Sequence, residues 1–472
     1  MKFTTFLINE AAEALRDWNK YVKRNRMLAN AVVVLKKIIS KGYKAYIVGG
    51  AVRDIVLGND PKDVDIATNM PIDELAKIWK VADIGKSKDF GIVVIKEGGI
   101  VFEVAQFRTD GKYIDGRRPE SIQIAGSFKE DVSRRDFTIN AMGIDIDGNI
   151  IDYFDGRKDI KDKVLRTVGD PMKRFSEDKL RIMRAARFAS KHGLDIDPAT
   201  QKAAKKLAQD ITKLPMERIK DEIFKAAKME GSRFAVYLQI LDQFKVLKYI
   251  LPELVTLKWL KHAPGHHPES STVWGHVMAA LKATNTTDPI KNLAILLHDV
   301  GKSITGGMKA GTPTYYGHAE AGVNLVDAIA DRLKMSNKER QALLFAVGNH
   351  MKFHDLFKMK PSKIAKLVND ENWDVLVAVG QADAWARGPE FKHYKKWEEM
   401  IQHAIDIKNK WGINQVSRVN SIVDGNQIMK LTGLRPGPKI GEIKNKVLEW
   451  VVDNDITDQQ EIENKIKELA SS

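Results

Sequence analysis

The sequence predicts a multidomain α+β protein, an α+β head followed by a long all-helical body, and three observations predict it. A chain of 472 residues exceeds what one hydrophobic core organises, so two to four domains are expected. From about 43 to 165, short apolar runs such as Ala45–Val48, Gly91–Ile95 and Ile100–Ala105 alternate with glycine-bearing turns and helical stretches, the pattern of a sheet with helices. After Gly169-Asp170-Pro171 the pattern becomes helical and stays so to the end.

In order along the chain, residues 5–41 read as an amphipathic helical extension ahead of the first strand. Pro171 and Pro198 stand at helix starts, where a missing N–H costs nothing, and Pro252 lies near a boundary. The loop-like His262–Ser271 (HAPGHHPESS) marks one domain border, and a second is expected near 400–420. The expected division is 1–42 extension, 43–170 head, 171–260 helical neck, 261–400 a further helical domain and 401–472 a helical tail.

Lysine and arginine total 76 against 62 acids, a formal charge of +14, which favours an anionic partner, with nucleic acid first. The absence of cysteine excludes disulfides, thiolate catalysis and cysteine-based zinc sites, and fits a reducing, cytoplasmic setting. No apolar run reaches the roughly 18 residues that span a bilayer.

The first strand runs into Gly49-Gly50-Ala51-Val52-Arg53-Asp54. Paired glycines before a helix let backbone N–H groups approach a phosphate, and Arg53 adds charge there. Asp63-Val64-Asp65 follows, and on an extended strand both carboxylates point to one face. Such a pair repels itself unless a cation lies between, and Mg2+ would activate a 3′-hydroxyl and neutralise a triphosphate. Glu103 on a later strand is a candidate third ligand. Taken alone, an Asp-x-Asp also fits a solvated turn.

Further on, Glu177-Asp178-Lys179-Leu180-Arg181 offers an acid and a guanidinium at i and i+3, on one face of a predicted helix. One carboxylate and one guanidinium match the donor–acceptor edge of either cytosine or adenine. Arg184 and Arg187 continue that face and are candidates for triphosphate or RNA backbone.

GGAVRDIVLG, PKDVDIAT, RRDFTINAM and EDKLRIMRAARF, in this order, resemble the signatures of class II tRNA nucleotidyltransferases, whose superfamily includes bacterial poly(A) polymerases. The resemblance is close over about 43–260 and looser beyond. It implies a palm with a mixed or antiparallel sheet, Gly50, Arg53 and Arg135 at the nucleotide, Mg2+ on Asp63 and Asp65, and Asp136 positioning its segment. It assigns Asp178 and Arg181 the base-selecting role. It also implies addition of CCA to the tRNA 3′ end from CTP and ATP without a nucleic-acid template, the enzyme gripping the acceptor arm.

The segment from Phe107 through Pro119 reads as a mobile connection, and in the family such a loop accompanies switching from C to A. IGKSKDFGIVVI and Asp424–Ile443 also look CCA-like, against the alternatives of a poly(A) polymerase or an A-adding enzyme. A more distant alternative is a non-catalytic RNA-binding protein. Oligomeric state is not legible.

In KNLAILLHDVGK a buried helix presents His298 and Asp299 at its end. With His276 before and Asp383 after, the order resembles the HD phosphohydrolase superfamily, where four such residues bind metal. His318 and His350 are candidates for a second ion or for substrate phosphate. The resemblance implies a divalent transition metal such as Ni2+, Co2+ or Mn2+, and phosphatase, 2′-nucleotidase or 2′,3′-cyclic phosphodiesterase activity. His262, His266 and His267 cluster in the loop without an assigned role.

Overall fold

Local chemistry sets the first elements. The computed structural model describes residues 18–82, 91–110, 122–262, 267, 269–388, 392–411 and 423–471. Helix α1 (Trp18–Arg24) leads into α2 (Arg26–Ile39), whose N-cap Asn25 accepts from the amides of Met27 and Leu28. The rest of the expected N-terminal extension lies outside the described residues.

The chain forms two compact units, residues 1–226 with 236–250, and residues 227–235 with 251–472. The division near Pro252 precedes the border expected at 260/261.

In the first unit, β1 (Ala45–Val48), β2 (Asp65–Thr68), β3 (Ile92–Glu97), β4 (Ile100–Gln106), β7 (Met142–Ile144) and β8 (Ile150–Asp152) make a six-stranded sheet in the order β3-β4-β2-β1-β7-β8. Among its described strands β2 and β4 pair in parallel and the other neighbours antiparallel, so the sheet is mixed. Between β4 and β7, β5 (Arg108–Asp110) pairs with β6 (Ile122–Ile124). The expected mobile connection is therefore corrected at its start, where backbone ladder bonds order the chain; residues 111–121 lie outside the described residues.

Helix α3 (Gly50–Val56) follows β1 directly, and α4 (Phe128–Ser133) starts on a Ser127–Glu130 capping box, a device worth about 1 kcal/mol. Tyr46, Phe107 and Phe128 pack ring on ring beneath the sheet. Pro171 opens α5 (Pro171–Glu177) and Pro198 opens a later helix, each behind an aspartate cap, as expected. Helix α6 (Leu180–His192) ends on Gly193 in the left-handed region.

The part beyond 171 is not purely helical. A two-stranded pairing of β9 (Val164–Leu165) with β10 (Asp195–Ile196), and a hairpin of β11 (Gly307–Lys309) and β12 (Thr312–Thr314), interrupt it. Both are too short to show a period of two in the sequence.

In the second unit, α7 (Val273–Lys282), α8 (Pro289–Leu297), α9 (His318–Arg332), α10 (Asn337–Asn349) and α11 (Trp373–Ala386) surround a cluster of histidines and acids. Helix α12 (Lys392–Trp411) runs unbroken through the border expected at 400/401. One core containing Phe353, Trp373, Trp397, Trp411, Val447 and Ile466 has members on both sides of 400/401. Among the described residues, no helix is long and apolar enough to cross a membrane.

Candidate functional site

Sheet register brings the head's polar residues together. Val48 pairs with Asp65, so the Gly49-Gly50 turn that follows β1 emerges beside the start of β2. Asp65 in turn faces Glu103 across the parallel β2–β4 ladder. Gly49 has φ of 71°, and an added Cβ would sit 3.1 Å from Arg135 Nη1 and 3.7 Å from Asp65 Oδ2. Glycine therefore serves both the backbone conformation and the close approach of these groups.

These residues line a cavity of about 590 Å³. Its wall holds Gly49, Gly50, Arg53, Asp63, Asp65 and Glu103 from the sheet side, and Arg135, Asp136, Asp178, Arg181 and Arg184 from the segments that follow. Asp65 stays open to solvent, but desolvation at the cavity wall first, and then the charges of Glu103 and Asp63, push its carboxyl from 3.8 up to about 6. Carboxylates that share one cavity wall are the kind of oxygen donors a divalent cation takes.

Two local expectations need correction. The strand begins at Asp65, and Asp63 sits in the bend before it, so the shared wall comes from the bend as well as from strand alternation. Asp178 is not on a helix with Arg181: it is the extended C-cap of α5, its Oδ1 accepting from the Leu180 amide, whereas Arg181 belongs to α6. The two still reach one cavity.

The guanidiniums are held firmly. Arg181 donates to Glu177 at 2.9 Å, to the Arg174 carbonyl at 3.1 Å and to the Arg134 carbonyl at 3.0 Å. Arg53, 5% exposed, donates to Asp54 and, at 2.6 Å, to Asn140 Oδ1. Asn140 Nδ2 donates to Asp136, which also accepts from Arg184. Burial opposes ionisation of Asp136, yet the Arg184 guanidinium holds it below the usual carboxylate range.

Arg187 is not on the cavity wall; it pairs with the buried Glu222 and lies over the Phe188 ring. Sequence reading passed over Asn140, Lys62, Phe188 and Lys191, all of which line the cavity. Asn140 sat inside RRDFTINAM, but nothing in its spacing marks it as the partner of Arg53.

The second unit gathers His276, His298, Asp299, Asp383, His318 and His350. His276 Nε2 comes within 2.9 Å of Asp383 Oδ1 without the alignment of a hydrogen bond, and His298 Nε2 lies 3.4 Å from Asp299 Oδ2. On the other side of Asp299, His318 Nε2 is 3.4 Å and His350 Nε2 3.9 Å from Oδ1. His298, His318 and His350 each direct Nδ1 at a backbone carbonyl, of Ile295, Tyr315 and Val347, which leaves Nε2 facing inward. Burial, then neighbouring His298, lowers His350 to about 3 and keeps it a neutral imidazole.

The donor set, imidazole nitrogens and carboxylate oxygens, with the buried Nε2 atoms of His276 and His298 close to carboxylates but outside any hydrogen bond among the described residues, fits divalent transition metals. Gly301 allows the assembly to close: a Cβ there would meet the His318 carbonyl at 1.9 Å and the Gly322 nitrogen at 2.6 Å. Beside this centre lies a second cavity of about 570 Å³, lined by His262, His267, Lys302, Tyr315, His318 and Arg387 among others.

Residues 45–166 match the family model of the Poly A polymerase head domain, and residues 193–257 match the model described as the probable RNA and SrmB-binding site of polymerase A. The CCA-adding enzyme of Bacillus pumilus (strain SAFR-032) is 43% identical over 205 residues, 43% of this chain and 51% of that protein. That of Leuconostoc citreum (strain KM20) is 38% identical over 253 residues, 52% of this chain and 62% of that protein. The chain spans about half the length of the curated relatives it matches.

The crystal structure of the Bacillus stearothermophilus CCA-adding enzyme in complex with CTP superposes with a TM-score of 0.71 at 25% identity, over 93% of this chain and 96% of that one. A Thermotoga maritima CCA-adding enzyme complexed with tRNA shares the fold at a TM-score of 0.56, 19% identity, and 94% and 95% coverage. Residues 45–166 are thus similar to the Poly A polymerase head domain, and about half of the chain is similar in sequence to CCA-adding enzymes.

Proposed function

We propose that the first unit adds CCA to the 3′ end of tRNA, using CTP and ATP without a nucleic-acid template. The carrying observation is the single cavity shared by Asp63, Asp65, Glu103, Arg53, Arg135, Asp178 and Arg181. Asp63 and Asp65, with Glu103 beside them, are the residues to hold Mg2+. Bound there, the ion lowers the pKa of the 3′-hydroxyl and neutralises phosphate charge.

The chain's own groups do the rest. The Gly49-Gly50 turn and Arg53 receive the triphosphate as the 3′-oxygen attacks the α-phosphorus and pyrophosphate leaves. Arg135, anchored on the Asn140 carbonyl at 3.3 Å, meets the nucleotide beside Gly49. Asp178 and Arg181 read the base edge: Asp178 accepts from an exocyclic amine and Arg181 donates to the ring nitrogen beside it. The multiple anchors of Arg181 make this a fixed template, since a donor that cannot swing cannot adapt to a base with the reversed pattern. The basic helical residues after 171 would hold the acceptor arm through its phosphates.

The test is incorporation into tRNA truncated before CCA, with CTP and ATP supplied separately. Addition of C and then A is expected. Failure to incorporate CTP would leave poly(A) or A-only addition as the reading.

For the second unit we propose a phosphohydrolase of the HD type, with His276, His298, Asp299 and Asp383 holding one transition metal and Asp299, His318 and His350 a second. Ni2+, Co2+ or Mn2+ in these positions would activate water and offset phosphate charge. Lys302 and Arg387, on the adjoining cavity, would orient the phosphate of a nucleotide or RNA end. Assaying hydrolysis of a 2′,3′-cyclic nucleotide with and without nickel tests this; a His298→Ala variant as active as the wild type removes it.

A further inference from the structure

We propose that Glu269 is a positioning residue of the histidine–acid centre: its carboxylate fixes His276 as the Nδ1-protonated tautomer and strengthens the Nε2 donor that His276 turns toward Asp383. The inference rests on the proposed role of His276 as a metal ligand, and it gives Glu269 no contact with the ion.

Local chemistry brings the carboxylate there. Thr272 caps α7, its side chain accepting from the Gly275 amide at 3.1 Å, and Ser270 Oγ accepts from the Thr272 amide at 3.1 Å. An added Cβ on Gly275 would lie 1.8 Å from Ser270 Oγ, so glycine lets the preceding residues fold back over the first turn of the helix. Glu269 thereby reaches His276, with Oε1 2.5 Å from Nδ1. Both side chains are shut off from solvent, Glu269 at 8% exposure and His276 at 0%.

His276 stands apart from the other imidazoles of the centre. His298, His318 and His350 each rest Nδ1 on a backbone carbonyl, a neutral acceptor, at 2.8, 2.8 and 2.7 Å. Of these four, His276 has a carboxylate in that place. A carboxylate oxygen accepts only, so the proton sits on Nδ1 of His276 and the lone pair on Nε2. His267 Nδ1 lies 2.8 Å from the same oxygen and is under the same constraint. Negative charge on the far side of the ring makes Nε2 a stronger donor than a carbonyl there would.

Two further observations fit that role. With the proton on Nδ1, His276 Nε2 and Asp383 Oδ1 face each other at 2.9 Å as two acceptors, an arrangement that a cation between them relieves. Glu269 Oε2 is buried with no hydrogen-bond partner among the described residues. A buried carboxylate satisfied at one oxygen does little for the metal-free fold, because its desolvation is only partly offset. Its benefit comes when an ion on Nε2 draws charge through the ring and tightens the bond from Nδ1–H to Oε1.

The experiment measures metal affinity on the full chain, without an activity assay. Wild type, Glu269→Gln and Glu269→Ala are stripped with chelator and titrated with Co2+ against a chelating dye, and thermal midpoints are taken on the metal-free samples. Glu269→Gln keeps the shape and loses the charge. It is expected to weaken Co2+ binding by about tenfold, and Glu269→Ala by up to about 100-fold, with no fall in the metal-free midpoint of Glu269→Gln. Wild-type affinity in either variant overturns the proposal. So does a weakening that comes with a lower metal-free midpoint in Glu269→Gln, which would make the residue structural. Should Glu269→Ala fail to fold, Glu269→Gln carries the test by itself. Failure of the underlying reading looks different: wild type takes up no Co2+, or His298→Ala takes up as much as wild type, and then the centre falls and the proposal with it.

Discussion

Arg184 on the neck helix and Asp136 in the head meet through two hydrogen bonds, Nε at 2.9 Å and Nη2 at 2.6 Å from the same carboxylate oxygen. The other oxygen of Asp136 accepts from Asn140 Nδ2, and Asn140 Oδ1 accepts from Arg53. A chain of charge-assisted bonds thus runs from the helix bearing Arg181 to the arginine behind the Gly49-Gly50 turn.

Asn140→Ala takes the acceptor from Arg53 in a buried setting, a loss of about 1–3 kcal/mol of positioning. Nucleotide addition is expected to fall by roughly tenfold or more in kcat/KM. Asn140→Asp restores an acceptor and should recover part of the loss, measured by steady-state kinetics with CTP and with ATP.

Asp65 gives a pH dependence whose sign follows from its raised pKa. The carboxyl titrates at about 6 when folded, against 3.8 ordinarily, so the native head binds the proton more tightly than the unfolded chain. In the metal-free protein that stabilisation is complete below the unfolded value and is lost as pH rises through the folded one. The Mg2+ proposed for this site would need the ionised form, so its affinity is expected to rise with pH over the same window, by up to about tenfold per unit, with proton uptake by buffer. Calorimetry in two buffers checks this, and Asp65→Asn flattens the profile.

Asp63→Ala or Asp65→Ala removes a carboxylate from the triad that would hold the cation. Incorporation of CTP and ATP is expected to drop by about 10³-fold or more while the fold persists, since neither side chain supports the core. Primer-extension gels with circular dichroism on the same samples separate the two.

Asp178→Asn exchanges an acceptor for a donor at the base edge. Discrimination of CTP and ATP against UTP should fall by about tenfold, with less change in total turnover. Competition assays with paired nucleotides read the ratio directly.

Gly301→Ala would press a methyl group on the His318 carbonyl, which lies 1.9 Å from the added atom. Relief requires moving the start of α9, and with it His318 away from Asp299. The expected outcome is destabilisation of about 1–3 kcal/mol and a lower metal content. Chelator should lower the thermal midpoint of the wild type more than that of the variant, because only the loaded wild type has ligand stabilisation to lose.

The sequence by itself determined the order and character of the elements and most of the site chemistry. Strand β1, the turn at Gly49-Gly50, the acids Asp63 and Asp65, the proline-led helices and the buried helix before His298 all follow from local propensity and short-range spacing, which neighbouring residues carry among themselves. What only the tertiary structure decided are the long-range meetings. Asp65 faces Glu103 because β2 and β4 pair in one register; Arg53 finds Asn140 across 87 residues; Glu269 joins His267 to His276. Even Asp178, placed on a helix by its spacing to Arg181, turned out to be a cap between two helices. Such pairings depend on sheet register, helix packing and burial, and these are properties of the folded chain as a whole, absent from any window of its sequence.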